Sequence, residues 1–313
     1  MATSDSPVPL GLGIDAGGTR TRWALSNRAG VRVAEGEVAG LSALQMGSEL
    51  GRADLHARLS DLAVAVLAHG RPAAIHAGLT GYGGGGAQLQ EWLATLFDVA
   101  ASNITLCNDI EIAYAACFQP GEGYLIYAGT GSIGAWIDAA GVFHRAGGRG
   151  VVLDDGGGGF WIAREALRHI WRIEDEQPGA WRDSPMARAV FDHIGGSDWA
   201  LSRQFIYGQE RGAVGQLALA VAASADADPA AAAILRMAGR ELARLARALI
   251  GRYGARPVAL SGRAGSLHPL IAASMRDVLP VNVPLRLASN DAHLAAARAA
   301  ALSCSISDIS GHR

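Results

Sequence analysis

The chain has 313 residues, of which 50% are hydrophobic and 18% are charged, a composition typical of a globular protein rather than a disordered one. Its formal net charge of −2, without any block of lysine or arginine, gives no electrostatic reason to bind nucleic acid or an anionic membrane. Because 313 residues exceed what one hydrophobic core usually supports, we expect two lobes of similar size with a cleft between them.

The amino-terminal residues and the cysteines bear on the cellular location of the protein. The first nine residues have neither a positive start nor an apolar stretch, so no signal peptide is predicted, and no apolar run is long enough to cross a bilayer. The three cysteines, Cys107, Cys117 and Cys304, are widely spaced and include no Cys-x-x-Cys pair. This pattern fits neither a disulfide framework nor a zinc site. We therefore expect a reducing, cytoplasmic location.

The stretch from residue 10 to residue 25 predicts a β-hairpin whose turn binds phosphate. Apolar residues alternate with small ones before the turn, and a second apolar run follows it. Gly17 and Gly18 lack a Cβ, so the turn backbone can approach an anion, and Thr19 and Thr21 add hydroxyl donors. An ordinary hairpin with a flexible glycine turn is the alternative, because short glycine motifs also occur by chance.

Asp15 stands at the start of this turn and would lie beside a bound phosphate. A carboxylate repels phosphate, but it can anchor a hydrated Mg²⁺ ion that bridges the phosphate oxygens. The sequence therefore predicts that Asp15 belongs to a magnesium site.

Predicted strands and helices alternate along the chain after the hairpin. The predicted strands are 31–38, 73–79 and 104–109, and the predicted helices are 53–68, 88–97 and 110–117. The loop at 80–86 resembles a phosphate-binding loop superficially but lacks the Gly-Lys-Ser/Thr ending, which favours a mobile loop at the mouth of a cleft. Asp109 lies where a strand meets a helix, and this local pattern alone favours a helix cap by Asn108 or Asp109 over a catalytic role.

Residues 123–138 repeat the pattern of the opening stretch, with an apolar strand, a glycine turn and a second apolar strand. Gly129 and Gly131 free the backbone, and Thr130 and Ser132 supply hydroxyl donors. Two such turns facing each other across a cleft could hold one triphosphate from both sides. The repetition is one of architecture, since the two stretches share no strict sequence repeat.

The remainder of the chain begins with a dense run of glycines at 146–161 that leads directly into a helix, which favours close approach of a ligand. Asp154 and Asp155 in the middle of the run favour a ligand site over a plain loop. Residues 174–199 are polar and irregular, which predicts a connecting segment. The last predicted elements are a helix from Asp228-Pro229, a strand at 257–262, a helix at 267–279, a strand at 284–287 and a closely packing small-residue helix at 290–302.

The order of these motifs resembles a known superfamily. Residues 15–19, 108–109, 128–132 and 260–262 resemble the first phosphate, connecting, second phosphate and adenosine segments of the actin-like sugar kinase ATPases. Within that superfamily, residues 147–150 and 153–167 resemble the BadF/BadG/BcrA/BcrD-type ATPase family, which includes the N-acetylglucosamine and glucosamine kinases.

The resemblance implies an α/β protein with two ribonuclease-H-like lobes and a central cleft that holds ATP and Mg²⁺. It implies an N-terminal lobe of residues 1–117, completed by the C-terminal helix at about 290–313, and a C-terminal lobe of residues 118–289. Asp109 would be the general base and would also contact the sugar. The residues implied for ATP are Gly17, Gly18, Thr19, Thr21, Gly129, Thr130, Gly131, Ser132 and Gly262, and those implied for the sugar are Thr130, Gly147, Gly148 and Asp155.

Three departures from the family pattern fall on the sugar segments. Arg149 stands where the family commonly has tryptophan, and the three positions after Asp155, 156–158, are glycines where the family has Glu-Gly-Ser. The asparagine expected after the third strand is replaced by a segment that offers only Ser42 and Gln45. These departures leave the ATP segments unchanged.

The expected activity is therefore transfer of phosphate from ATP to the 6-hydroxyl of an amino sugar, with N-acetylglucosamine ahead of glucosamine. One alternative is an ATPase that activates a reductase through an iron–sulfur cluster, which the spacing of the three cysteines disfavours. Another is a nucleotide-dependent binding or scaffold protein, since a fold does not fix a function. The family also makes a homodimer possible.

Overall fold

A computed structural model describes residues 9–289 and 291–304 of the chain. The contacts divide the chain into two compact units, whose described residues are 9–116 with 291–304 and 117–289. Each unit contains one five-stranded sheet with helices, so the predicted α/β class is confirmed. Residues 1–8, 290 and 305–313, which the predicted lobe limits include, lie outside the described residues.

The sheet of the first unit begins with an antiparallel meander and continues with parallel strands. Its strands are β1 (Leu10–Ala16), β2 (Arg20–Asn27), β3 (Arg32–Ala39), β4 (Pro72–Leu79) and β5 (Ile104–Asn108), in the order β3-β2-β1-β4-β5. Strands β1, β4 and β5 run parallel, so their carboxyl ends meet at one edge of the sheet. The helices that follow in this part of the chain are α1 (Glu49–Leu67), α2 (Ala87–Phe97) and α3 (Asp109–Ala115).

The sheet of the second unit has the same strand order and the same directions. Its strands are β6 (Tyr124–Ala128), β7 (Ser132–Ile137), β8 (Phe143–Gly147), β9 (Val258–Ser261) and β10 (Leu285–Leu287), in the order β8-β7-β6-β9-β10. Strands β6, β7 and β8 are antiparallel, and β6, β9 and β10 are parallel. The predicted repetition of architecture is therefore present, including a hairpin at each glycine turn.

Helices make up much of the second unit. They are α4 (Gly159–Glu176), α5 (Pro185–Ile194), α6 (Trp199–Gly208), α7 (Arg211–Gly215), α8 (Leu217–Ser224), α9 (Pro229–Tyr253) and α10 (Pro269–Val278). As predicted, Asp228 caps α9 and Pro229 starts it. Within the described residues no single helix is long and apolar enough to span a membrane, although the bent pair Arg211–Ser224 and Pro229–Tyr253 passes that test jointly.

One prediction for this unit is wrong, and one strand was not predicted. The segment 174–199 is not merely a connection, because it contains α5, whose buried face includes Met186 and Phe191. Pro185 starts this helix after the Ser184 cap, a position at which proline favours a helix. Strand β8 was also missed, because its five residues lead directly into the glycine run.

The last helix, α11 (Ala292–Ser303), belongs to the first unit and lies directly on β1. A Cβ at Gly13 would lie 2.0 Å from the carbonyl oxygen of His293, and one at Gly11 would lie 2.0 Å from the amide nitrogen of Ala301. Backbone can approach backbone this closely only where a strand has no side chain. The predicted close packing of a small-residue helix is confirmed.

Candidate active site

Three polar residues meet at the carboxyl edge of the first sheet. Asp15 is the second-last residue of β1, Thr80 follows β4, and Asp109 follows β5. These three strands are adjacent and parallel. In open α/β sheets, ligands bind outside the carboxyl ends of the strands, so this edge is the natural place for a reaction.

Asp109 is the first residue of α3, but it does not cap that helix. The Asn108 side chain accepts a hydrogen bond from the amide of Glu111 at 2.9 Å, and the Glu111 carboxylate accepts one from the amide of Asn108 at 2.8 Å. This reciprocal pair is a complete capping box. The capping role considered for Asp109 therefore belongs to Asn108, and the Asp109 carboxylate is left for another role.

The Asp109 carboxylate accepts a hydrogen bond from the Thr80 hydroxyl, with 2.5 Å between Oγ1 and Oδ2. Burial raises the pKa of Asp109 above its usual range, and the negative charge of Asp15 raises it further, against the lowering effect of the Thr80 hydrogen bond. A carboxylate with a raised pKa at a ligand-binding edge has the properties of a general base. Thr80 was not among the predicted site residues.

Asp15 faces Arg22 across the β1–β2 hairpin, and Nη2 of Arg22 lies 2.7 Å from Oδ2 of Asp15. Within the described residues, no group of three His, Cys, Asp or Glu side chains could hold a metal. Mg²⁺ usually binds through one or two carboxylates together with waters and substrate phosphates. Asp15 fits this mode of binding as a single carboxylate that would act through the waters of the metal, whereas the donors in the described residues do not form an all-protein metal cage.

The first glycine turn is closed by a hydrogen bond from the amide of Gly17 to the carbonyl of Arg20 at 3.1 Å. Gly18 and Thr19 are exposed, and a Cβ built on Gly18 would meet no atom within 4 Å. Open space beside Gly18 leaves its backbone accessible to an anion.

Thr21 corrects part of the prediction for this turn. Its side chain is fully buried, and its Oγ1 accepts a hydrogen bond from the amide of Leu41 at 3.2 Å. Thr21 therefore anchors the chain after β3 and is not a donor on the surface of the turn. Alternation along β2 places Thr21 on the same face as the buried Trp23, which is the signal that could have revealed this.

The second glycine turn is held by the start of α4. The amide of Gly159 donates to the carbonyl of Gly129 at 2.8 Å, and the amide of Phe160 donates to the carbonyl of Thr130 at 3.0 Å. Ser132 is buried and its hydroxyl donates to the carbonyl of Gly156 at 2.7 Å. Like Thr21, Ser132 therefore braces the hairpin against a later segment, and it is not a surface donor as predicted.

Gly262 lies next to this second turn. Its φ is +93°, and a Cβ there would come within 2.4 Å of the carbonyl oxygen of Ala128, the residue before the turn. The amide of Ala264 donates to the same carbonyl at 2.8 Å. Residues 128–132 and 260–262, which resemble the second phosphate and adenosine segments, are therefore neighbours within the second unit.

The predicted sugar segment folds back onto the second turn through Asp155. This aspartate is buried, has a φ of +55°, and accepts a hydrogen bond from the amide of Gly150 at 3.1 Å. A Cβ at Gly131 would lie 2.2 Å from Oδ2 of Asp155, so the carboxylate packs against the backbone of that turn. Burial raises the pKa of Asp155, although the bond from Gly150 opposes this effect.

Gly147 and Gly148 adopt left-handed conformations with φ of +68° and +64°. The amide of Gly148 donates to the carbonyl of Ser132 at 3.1 Å. Both glycines therefore carry the chain from β8 past the second turn towards Asp155, with the exposed Arg149 between them and Gly150.

The two side chains noted after β3 already have partners in the first unit. The Ser42 hydroxyl donates to the carbonyl of Thr80 at 2.9 Å and accepts from the amide of Leu44 at 3.2 Å. Oε1 of Gln45 accepts from the amide of Ser42 at 2.9 Å, and Nε2 of Gln45 donates to Oδ2 of Asp54 at 2.5 Å. Together, Ser42 and Gln45 form the capping box of the 3-10 turn Ala43–Gly47. Neither side chain takes the place of the family asparagine without giving up these bonds.

Cys107 lies on β5 with its Sγ 3.6 Å from Nε2 of His76, and burial is the main cause that raises its pKa to about 12. A partly buried thiol of this kind is typical of a structural cysteine. The wide spacing of the three cysteines therefore remains the reason to disfavour the iron–sulfur alternative.

Comparison with known proteins agrees with these features. The model of the BadF/BadG/BcrA/BcrD ATPase family matches residues 12–279. N-acetyl-D-glucosamine kinase from Dictyostelium discoideum is 32% identical over 90 residues, which make up 28% of this chain and 28% of that protein. The match therefore spans less than a third of the length of this curated relative.

Two solved structures extend the likeness to the whole fold. A protein of Chromobacterium violaceum, provisionally identified as an N-acetylglucosamine kinase, is 28% identical with a TM-score of 0.66, over 95% of this chain and 99% of that one. A ROK family glucokinase from Streptomyces griseus, solved with glucose and AMPPNP, is 15% identical with a TM-score of 0.62, over 93% and 98% of the two chains. At that identity the glucokinase shows the fold alone. Because the family model covers residues 12–279, most of the sequence, the chain belongs to the BadF/BadG/BcrA/BcrD ATPase family.

Proposed function

We propose that the protein is an ATP-dependent sugar kinase that transfers the γ-phosphate of ATP to the 6-hydroxyl of N-acetylglucosamine, with glucosamine as a second acceptor. The observation that carries this proposal is the Asp109 carboxylate, held by Thr80 at the carboxyl edge of the first sheet and influenced by the charge of Asp15. Membership of the ATPase family supports the use of ATP. The names of the Dictyostelium and Chromobacterium proteins support an amino-sugar acceptor.

In the proposed reaction, the sugar oxygen forms a bond to the γ-phosphorus while the bond from that phosphorus to the bridging oxygen of ADP breaks. The proton of the attacking hydroxyl passes to Asp109. The transition state of phosphoryl transfer is loose, so the protein contributes mainly positioning, charge neutralisation and this one base. The raised pKa makes Asp109 a stronger proton acceptor than an ordinary aspartate.

The residues proposed to contact ATP lie on the two glycine turns. Backbone amides can hold phosphate oxygens only where no side chain covers them, which the open side of Gly18 supports. We assign phosphate contacts to Gly17, Gly18, Thr19, Gly129, Thr130 and Gly131, and an adenosine contact to Gly262. When bound, Mg²⁺ would neutralise phosphate charge. Asp15 is the proposed anchor of its water shell, oriented by the bond from Arg22.

For the sugar, Asp155 is the proposed acceptor of hydroxyl hydrogen bonds, with Gly147, Gly148 and Thr130 beside it. Its left-handed backbone and its bond from Gly150 fix the direction of its side chain. A strained backbone residue of this kind persists where the surroundings hold it, and such residues cluster at ligand sites. A homodimer remains a prediction.

The proposed function is tested by a panel of acceptors with coupled detection of ADP. The panel includes N-acetylglucosamine, glucosamine, glucose and N-acetylmannosamine, together with non-sugar alcohols such as glycerol. We expect the highest kcat/KM with N-acetylglucosamine. Absence of turnover with every hexose and hexosamine, together with clear turnover on another metabolite, would contradict the proposal.

A further inference from the structure

Thr80 joins three separate segments of the first unit. Its amide donates to the carbonyl of Ala16 at 2.9 Å, at the end of β1 beside the first glycine turn. Its carbonyl accepts hydrogen bonds from the amide of Ala43 and from the hydroxyl of Ser42, both at 2.9 Å. The backbone of Thr80 is therefore fixed by the turn on one side and by the segment after β3 on the other.

The fixed backbone places the Thr80 side chain beside Asp109, and the hydrogen bond to the carboxylate selects the rotamer of its hydroxyl. The distance of 2.5 Å between Oγ1 and Oδ2 is that of a strong, charge-assisted hydrogen bond. An ionised carboxylate has no proton to give, so the threonine hydroxyl is the donor. The bond ties one oxygen of Asp109 to the same residue that connects β1 with residues 42 and 43.

We propose that Thr80 is a positioning residue of the reaction, which holds the Asp109 carboxylate in the orientation that accepts the proton of the acceptor hydroxyl. This inference rests on the proposed kinase function. A carboxylate at the start of a helix can rotate about its side-chain torsions, and a misplacement of about 1 Å can reduce a rate about 100-fold. A fixed hydrogen bond removes that freedom before the substrate arrives.

A purely structural role for Thr80 is the competing explanation, because its backbone bonds alone would hold the loop. The two roles are separable, since the backbone bonds do not need the hydroxyl. Thr80→Val keeps the branched shape and both backbone groups but removes the donor. Thr80→Ser keeps the donor and removes a methyl group.

The experiment compares Thr80→Val, Thr80→Ser, Asp109→Asn and the double variant Thr80→Val/Asp109→Asn by kcat, by KM for each substrate and by thermal unfolding. We expect Thr80→Val to lower kcat about 10- to 100-fold with both KM values within about threefold, and Thr80→Ser to restore kcat to within about threefold. In the double variant, loss of the hydroxyl should have no further effect, because the carboxylate it positions is gone. Thr105→Val, at an exposed position on β5, is the matched control and should behave as the wild type.

A wild-type protein that phosphorylates no sugar contradicts the proposed function and this inference together. An active wild type with near-normal kcat in Thr80→Val contradicts the inference alone. The inference is also contradicted if Thr80→Ser loses as much kcat as Thr80→Val does. It is contradicted as well if the losses of kcat in Thr80→Val and Asp109→Asn add fully in the double variant. If Thr80→Val unfolds below the assay temperature, Thr80→Ala takes its place with the same expectations.

Discussion

The ionised carboxylate of Asp109 lowers the stability of the folded protein. Burial and the neighbouring Asp15 both raise its pKa, so the folded state binds this proton more tightly than the unfolded state does. Stability therefore falls as the pH rises from the ordinary aspartate pKa, about 3.9, through the raised pKa of the folded state. Above the raised pKa, the loss of folding stability has reached its full value and no longer changes with pH. The proposed role of Asp109 as a base therefore has a cost in stability.

Asp109→Asn should separate these two effects. The amide keeps the shape and a hydrogen-bonding oxygen but removes the basic lone pair, so kcat should fall by roughly 10²–10⁴-fold with similar KM values for sugar and ATP. The same change removes the unfavourable charge, so the melting temperature at pH 7 should rise. Steady-state kinetics and thermal unfolding of one preparation measure both.

Asp98→Asn is the matched control for this substitution. Asp98 is exposed at the end of α2 with a φ of +55°, a conformation that asparagine also tolerates. Its kcat and melting temperature should equal those of the wild type. An Asp109→Asn variant with near-normal kcat would remove Asp109 from catalysis and direct the search for the base to Asp154 and Asp155.

The pH dependence of kcat/KM should report the same carboxylate. As the pH falls through the raised pKa of Asp109, the base becomes protonated and activity is lost. We expect the midpoint of this fall in kcat/KM to lie above pH 3.9, the approximate pKa of an ordinary aspartate. The residual activity of Asp109→Asn should not show this fall. A rate that stays constant down to about pH 4 would be inconsistent with a buried base at this position.

At the scale of elements, the hairpins and the strand-to-helix junction were predictable because each depends on a short local pattern. Alternation of apolar and small residues predicts β1 and β2, and the capping residue at the end of β5 predicts α3. The roles of Thr21 and Ser132 were not predictable from the turn motif. Each hydroxyl is bound by a segment more than 15 residues later in the chain, and a local pattern does not show such a partner.

Thr80 was missed for a similar reason. It begins the glycine-rich loop at 80–86, which lacks the lysine of a phosphate-binding loop, so there was little reason to predict a ligand contact there. Its importance comes from four hydrogen-bond partners in other segments, at Ala16, Ser42, Ala43 and Asp109. Only parallel pairing of β1, β4 and β5 brings these residues together.

The contact between β1 and α11 gives a prediction about stability. Gly13→Ala places a Cβ 2.0 Å from the carbonyl oxygen of His293 and 2.2 Å from the amide nitrogen of Ala297, so helix and strand must separate. We expect the free energy of unfolding, measured by urea denaturation, to fall by about 1–3 kcal/mol.

Gly18→Ala is the control for that substitution, because its Cβ would meet no atom within 4 Å. It should change the free energy of unfolding by less than about 0.5 kcal/mol. The same variant should raise the KM for ATP, since the new methyl group covers the backbone proposed to meet phosphate. Equal stability losses in the two variants would contradict the packing described for α11.

At the scale of the whole molecule, the two units share one strand order, and each carries a glycine turn between its first two strands. Composition and the motif order were sufficient to predict this duplicated α/β architecture. The acceptor was less predictable, because the chain departs from the family pattern at Arg149, after Asp155 and in the segment of Ser42 and Gln45. The family and the fold therefore constrain the nucleotide more than they constrain the sugar.

The proposed transfer of phosphate from ATP to an amino sugar is tested most directly by identification of the product. The purified protein is incubated with ATP, Mg²⁺ and N-acetylglucosamine, and the products are followed by ³¹P nuclear magnetic resonance and mass spectrometry. We predict N-acetylglucosamine 6-phosphate and ADP in equal amounts, with neither formed at this rate by Asp109→Asn. ADP accompanied by inorganic phosphate and no sugar phosphate would contradict the account and identify the protein as an ATPase.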